Sequence, residues 1–273
     1  MSVAEGARRQ ARKAAQSTVL EWPTRAGFVG YGLLHLAVAW ISLQILLGRP
    51  TGDSGQSGAF ETLARQPAGR LILILTIVGL VAMTVWQLLL AAVGHRSEQG
   101  WHRPAERLLS LGRAVVYVAL AWTAEQVVAG TATSSAEQQR DFTAKLLGMA
   151  YGPVLVIAAG VLVVLFSLGM CVYGATKKFA RRLKTAEMSD TLRKTTIRLG
   201  QIGYIGRGVA IGVVGVLVVV AGITHDPTKS GGLDTALKTL PRADAGPLLM
   251  WVVAAGFTAF GVYCFAQSRY RKV

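Results

Sequence analysis

The chain alternates between long apolar stretches and shorter polar segments. Six apolar stretches stand out, at about 26–48, 70–94, 112–130, 150–174, 202–224 and 246–267. A helix needs about 20 residues to cross a hydrocarbon core of about 30 Å. In a soluble domain polar residues would recur along one face of each helix, whereas here apolar residues occupy every face. The pattern predicts an all-α, polytopic membrane protein with six transmembrane helices.

The six stretches form three copies of one two-span unit. The odd spans start with matching triplets: Gly30-Tyr31-Gly32, Gly112-Arg113-Ala114 and Gly206-Arg207-Gly208. In each outer loop a leucine precedes a glycine by six residues: Leu63 and Gly69, Leu146 and Gly152, Leu240 and Gly246. Because each unit has two spans, all three start on the same side of the membrane, and the repeats are parallel. We expect pseudo-threefold symmetry, with a short interfacial helix in each outer loop.

The repeat divides the chain into units, tails and one long loop. A basic tail covers residues 1–25 and a second tail covers 268–273. The three units cover 26–94, 95–174 and 202–267, and a basic loop at 175–201 separates the last two.

The net charge of +15 and the pI near 10.4 would also suit a nucleic-acid binder. The distribution of the charge argues against that class. More than two-thirds of the 29 Lys and Arg residues lie in the two tails, in the second and fourth loops and at the start of the third span. Since basic loops are retained in the cytoplasm, we expect both termini there. The expected partners are the lipid bilayer and anionic lipids at its cytoplasmic face, with no nucleic acid.

The fourth loop is the longest basic stretch. In residues 177–198, Phe179, Leu183 and Met188 recur at nearly helical spacing among lysines and arginines. This spacing predicts a basic amphipathic helix that lies on the inner leaflet or continues the fourth span. An acidic partner docked on the loop is the alternative.

Four glycines in the odd spans are expected at helix contacts: Gly30, Gly32, Gly208 and Gly212. Lipid tails are as apolar as leucine, so association of helices in a bilayer depends on close backbone approach, which glycine permits.

The triplets at the odd-span starts, together with the segments Ala59-Phe60-Glu61-Thr62-Leu63 and Ala236-Leu237-Lys238-Thr239-Leu240, resemble a known family. It is a bacterial, mostly actinobacterial, membrane family catalogued as domain of unknown function 1206. The resemblance covers about residues 22–267. It implies three tandem two-span repeats in a bacterial plasma membrane, and no established activity.

Glu125 is the only acidic residue well inside a predicted span, where the other units have Leu43 and Val219. With the third span at 112–130, it lies about four residues from the middle. An ionised group at that depth costs several kcal/mol unless it is paired, hydrated or protonated. Glu125 is therefore a candidate proton relay or cation ligand, and the alternative is a hydrogen-bonded residue that holds helices together.

Three further polar positions lie in the odd spans. Arg113 and Arg207 match each other, and with Tyr31 they would form a ring that attracts anions if the bundle axis is open. Otherwise their long side chains extend to the inner interface. His35 is the only histidine in a span, and because haem between helices needs two axial histidines, we expect a hydrogen-bonded core residue.

No catalytic motif is present in the sequence, and Asp226, Asp234 and Asp244 are interpreted as turn residues. We expect no enzyme activity, no cofactor and no metal site. The favoured function is a non-enzymatic component that supports the envelope or a membrane-protein partner, with a packed axis. The alternative is a small-solute or ion transporter, which predicts a cavity between the repeats that reaches Glu125.

Overall fold

The computed structural model describes residues 18–49, 51–93 and 102–271. Within these ranges the chain is helical except for its connections and one isolated bridge between Leu183 and Arg271. The α-helices are α1 (Thr18–Leu46), α2 (Gln56–Ala64), α3 (Gly69–Val93), α4 (His102–Ala129), α5 (Ser135–Leu147), α6 (Gly152–Ala175), α7 (Asp190–Thr224), α8 (Gly232–Thr239) and α9 (Gly246–Tyr270). Most of the predicted basic tail lies outside the described residues.

Six of these helices are long and apolar enough to cross a membrane: α1, α3, α4, α6, α7 and α9. The prediction of an all-α protein with six spans is confirmed. The short helices α2, α5 and α8 each connect the two spans of one unit, as the repeat predicts. With six spans, the start of α1 and the end of α9 lie on one side of the bundle, which we call the tail side. The side that carries α2, α5 and α8 is called the cap side.

The spans follow one another around a ring. Three interfaces join different units: α3 packs on α4, α6 on α7, and α9 on α1. Two interfaces join spans of the same unit: α1 packs on α3, and α7 on α9. The two spans of the second unit, α4 and α6, are next to each other in this order but do not pack closely. Their described residues share at most marginal backbone contact. The ring therefore has one gap, and it lies inside the second unit.

Glycines show the same difference between the units. In the first unit, a Cβ added at Gly30 would lie 2.6 Å from Oγ1 of Thr76 on α3. In the third unit, a Cβ at Gly206 would overlap the backbone of Gly256 on α9. At the matching Gly112 of α4, an added Cβ meets nothing within 4 Å. Close approach therefore demands glycine in two units and not in the second.

The even spans carry the complementary difference. Ten residues after the glycine that starts each even span, the first and third units have Gly79 and Gly256, and the second has Leu162. Gly79 lies against Gly27 of α1 and Gly256 against Gly206 of α7. Leu162 is 66% exposed. A bulky side chain thus occupies the repeat position where the other two units bring backbones together.

Two of the interfaces between units use the second glycine of a triplet, Gly32 in the first unit and Gly208 in the third. A Cβ at Gly32 would lie 2.9 Å from the Gly261 carbonyl oxygen of α9. Gly208 and Gly212 both face Ser167 of α6. The four glycines selected from the sequence, Gly30 included, all lie at helix contacts.

The basic loop does not form the amphipathic helix predicted over 177–198. Lys177 adopts a left-handed conformation with φ of 56°, which ends α6. Two short 3₁₀ helices follow (Lys178–Arg182 and Thr185–Glu187), and Ser189 then caps the start of α7. Phe179 and Leu183 are each 1% exposed, so the apolar residues of the loop pack into the tail-side end of the bundle. Their spacing reflects tertiary packing.

Candidate functional site: a polar cavity on the bundle axis

A cavity of about 200 Å³ lies between the odd spans α1, α4 and α7, with one wall from α9. Most of its lining is apolar, including Leu34, Leu120 and Val214. The favoured hypothesis from the sequence required a bundle axis filled with side chains. The structure instead has a cavity there. Its polar groups lie in two sets, one from the spans and one from the cap side.

The polar set from the spans is centred on Arg207 of α7. Its Nη2 donates a hydrogen bond to the Tyr31 hydroxyl of α1 at 3.0 Å. Its Cζ lies 4.3 Å from the ring centroid of Phe260 on α9, a cation–π distance. Within the described residues, no carboxylate lies within ion-pair distance of Arg207. The guanidinium thus has two neutral neighbours and an open cavity beside it.

His35 lies one turn beyond Tyr31 on α1 and is 5% exposed. Its Nδ1 is 2.7 Å from the Tyr31 carbonyl oxygen. A carbonyl can only accept, so Nδ1 carries a proton and donates. In the neutral ring, Nε2 is then left as an acceptor beside the cavity. His35 is both a hydrogen-bonded core residue and part of the cavity wall.

Aromatic side chains close the cavity toward the tail side. Tyr31 meets Tyr117 of α4 edge to face, with ring centroids 5.7 Å apart. Phe260 lies 6.1 Å from Tyr31 and 4.8 Å from His35, centroid to centroid. Tyr31, Tyr117 and Phe260 are 8%, 7% and 3% exposed, so this end of the cavity is densely packed.

The cap side contributes the second polar set. Gln56 and Gln139 line the cavity, and Leu233 joins them from the third unit. All three lie seven residues before the leucine that ends the repeat segment, so they are equivalent positions. The cap side thus presents two amides and one apolar side chain to the axis.

The next residue in each unit joins the caps into a closed cycle. Ser57 Oγ lies 3.0 Å from Ser135 Oγ, which connects the first unit to the second. Arg140 donates to the Thr235 hydroxyl at 3.0 Å, which connects the second to the third. Asp234 then accepts from the backbone N–H of Ser54 at 2.7 Å and closes the cycle.

The sequence interpretation of Asp234 as a turn residue is wrong. Asp234 lies in α8, is 4% exposed and also forms an ion pair with Lys238 at 2.7 Å. The signal that could have identified it is its repeat position, six residues before Leu240. Asp226 does lie in a turn, where hydrogen bonds from the Thr228 hydroxyl and N–H lower the pKa of its carboxyl group.

A known family of proteins has the same three-unit arrangement. The model of the family described as Domain of Unknown Function (DUF1206) matches residues 26–94, 110–177 and 202–271. The chain belongs to the DUF1206 family. The curated protein YxxB of Bacillus subtilis (strain 168), itself described as uncharacterized, is 27% identical over 260 residues, which are 92% of each chain. No solved structure matches. The DUF1206 description assigns no activity, so function has to be argued from the site.

In this DUF1206 chain the three candidate ring residues do not meet. Arg207 and Tyr31 are hydrogen-bonded at the cavity, but Arg113 is not among its lining residues. Instead Arg113 lies in electrostatic range of Arg182, Arg271 and Glu106 on the tail side. There Arg182 forms an ion pair with Glu106 at 2.7 Å.

Glu125 does not face the cavity. It is exposed, and it lies nine residues from the cavity-lining Val116, which is half a turn away around α4. The span extends from Glu106 to Ala129, so Glu125 lies about 11 Å from its middle at 1.5 Å per residue, almost at the cap-side end. The sequence placed it deeper because polar residues hid the start of α4.

Proposed function

We propose that this DUF1206 protein is a non-enzymatic carrier that binds a small anionic group, a carboxylate or a phosphate, in its axial cavity. The position of the cavity between parallel repeats supports a carrier, because carriers bind their substrates at the interface between repeats. The polar groups around it, Tyr31, His35, Arg207, Gln56 and Gln139, include no carboxylate that would form an acid–base pair.

Arg207 carries the proposal. A cation within a span costs about 2.5–3.5 kcal/mol even on the mildest scale, so an arginine there calls for a compensating interaction. The Tyr31 hydroxyl and the Phe260 ring hold the guanidinium but leave its charge uncompensated. An anion in the cavity supplies the missing charge, and charge-assisted hydrogen bonds in a poorly solvated site are strong.

We further propose that the tail side faces the cytoplasm, in a bacterial plasma membrane. The excess of Lys and Arg in the tails and in the loops on that side supports this orientation. A reporter that is active only in the cytoplasm should be active when fused after Lys177 and inactive after Arg49. Cytoplasmic activity after Arg49 would reverse the orientation.

The anion site can be tested by thermal unfolding of the purified full-length protein with acetate or inorganic phosphate. A ligand that binds the folded state raises Tm by mass action. We expect the wild type and Arg113→Gln to be stabilised, and Arg207→Gln not to respond. Arg113 is the matched control, since it occupies the same repeat position but does not line the cavity.

If Arg207→Gln does not fold, Arg207→Lys and Tyr31→Phe serve instead. Arg207→Lys keeps the charge but loses the planar guanidinium, and it should bind either anion more weakly. An equal response of the wild type and Arg207→Gln to both anions would overturn the proposal, as would no response in the wild type.

A further inference from the structure

The axial cavity reaches the side of the bundle. Val116 of α4 lines it, yet 48% of Val116 is exposed. One turn earlier on the same face lies Gly112, where an added Cβ would meet nothing within 4 Å. Since the matching Gly30 and Gly206 contact the other span of their own unit, this face of α4 points to where α6 would pack. The open side of the cavity is therefore the gap between α4 and α6.

The lining between the polar groups and this gap is apolar. Leu120 of α4 lines the cavity together with Ile211 and Val214 of α7. Val116 of α4 is half-exposed at the edge of the cavity. Leu162 of α6, at the repeat position that faces the other span of the unit in the first and third units, is 66% exposed. A path thus runs from Arg207 to the lipid, with charge at one end and hydrocarbon along the rest.

The size of the cavity limits what it encloses. At about 200 Å³ it is smaller than the 300–1,000 Å³ that is typical of pockets for whole organic ligands. A carboxylate or phosphate group with the first few carbons fits such a volume, and the rest of a longer molecule has to leave it. The gap is an exit that needs no desolvation of polar groups, because its walls and the bilayer are both apolar.

We propose that the ligand is a single-chain anionic amphiphile. Its head group lies at Arg207 and the Tyr31 hydroxyl, and its alkyl chain passes through the gap between α4 and α6 into the bilayer. This inference rests on the proposed function and adds the class of substrate and its route of entry from the membrane.

The experiment compares acetate, hexanoate and decanoate binding to the full-length protein in nanodiscs, with protein-free nanodiscs as the reference for partitioning. Expressed against the free aqueous concentration of the probe, Kd should tighten about three- to fourfold for each CH₂ that is buried in the gap, over the first carbons. Binding of inorganic phosphate and of dodecyl phosphate is compared in the same way. This comparison tests whether the head group can also be a phosphate. Arg207→Gln should lose specific binding of every probe.

A phenylalanine at Gly112 is expected to extend into the gap, because its Cβ position has open space within 4 Å. In Gly112→Phe we expect acetate to bind as in the wild type, whereas the gain in affinity from acetate to decanoate is lost. Val116→Trp is a second variant with the same expected result. Val118→Trp is the matched control for Val116→Trp, because Val118 of α4 is 54% exposed but lies about half a turn around the helix from Val116.

The outcomes separate the two proposals. If acetate binding depends on Arg207 but decanoate binds no more tightly than acetate, the carrier proposal stands and the amphiphile inference fails. An undiminished chain-length effect in both Gly112→Phe and Val116→Trp also refutes the inference. If acetate and phosphate bind equally well to Arg207→Gln, the proposed function fails first.

Discussion

The interface between α7 and α9 and the gap between α4 and α6 occupy the same place in two copies of one repeat. In the third unit, Gly206 and Gly256 bring the two backbones into contact. In the second unit the matching residues are Gly112, with open space around it, and Leu162, which is 66% exposed. One glycine of the pair is retained and the other is lost.

In these two units, backbone contact occurs where both helices carry a glycine and is absent where one of them carries a leucine. Packing rather than the hydrophobic effect holds spans together, because lipid solvates leucine as well as another helix does. Exposure of Leu162 at the gap therefore costs little free energy. A leucine in a glycine contact would instead force two backbones apart. α4 keeps its place in the ring through α3, and α6 through α7.

The largest effect is expected from a leucine at the third-unit contact. Gly206→Leu places a side chain in the Gly256 backbone and should cost about 3 kcal/mol or more, since overpacking of a tight core costs 1–3 kcal/mol even where side chains can move. The matched change Gly112→Leu should alter stability by less than about 0.5 kcal/mol. Unfolding in denaturing detergent measures both. Equal destabilisation of the two variants would mean that α4 and α6 do pack.

A smaller effect is expected from the cap. Asp234→Ala removes the acceptor for the Ser54 N–H, at a buried site, and should cost about 1–3 kcal/mol. At the same repeat position, Arg140→Ala removes a more exposed hydrogen bond to Thr235 and should cost about 1 kcal/mol or less. Tm values of the two variants provide the comparison. A larger loss from Arg140→Ala would contradict the buried role of Asp234.

The smallest effect is expected at Glu125, which belongs to the same unit as the gap but faces away from the axis. Glu125→Gln should change stability by less than about 0.5 kcal/mol, because the side chain is exposed near the end of α4. The Tm shift with acetate should equal that of the wild type. A smaller Tm shift with acetate in Glu125→Gln than in the wild type would mean that Glu125 contributes to anion binding.

The architecture could be predicted from the sequence because it depends on length and periodicity. The six spans, the three units and the short helices of the cap all follow from apolar runs and from recurring residues such as Leu63, Leu146 and Leu240. The glycines of the odd spans were identified for the same reason, since the need for close approach is local.

The site could be predicted only in part. Tyr31, His35 and Arg207 were selected as polar residues in apolar spans, but their meeting depends on how α1 and α7 are rotated about their axes. Asp234 was missed because a single carboxylate in a polar loop looks the same whether it caps a turn or joins two units. Glu125 was placed too close to the middle of its span because the start of α4 is too polar to be recognised as part of a span.

The arrangement of interfaces has a consequence for synthesis and membrane insertion. α4 can pack as soon as it enters the bilayer, because α3 already precedes it in the chain. α6 has no such partner, since its backbone contact with α4 is at most marginal and α7 begins only at Asp190. During translation α6 therefore has no earlier span to pack closely on until α7 is inserted. α6 is apolar on every face, and only 17% of its most apolar segment is buried even in the finished fold. It can therefore be surrounded by lipid at that stage.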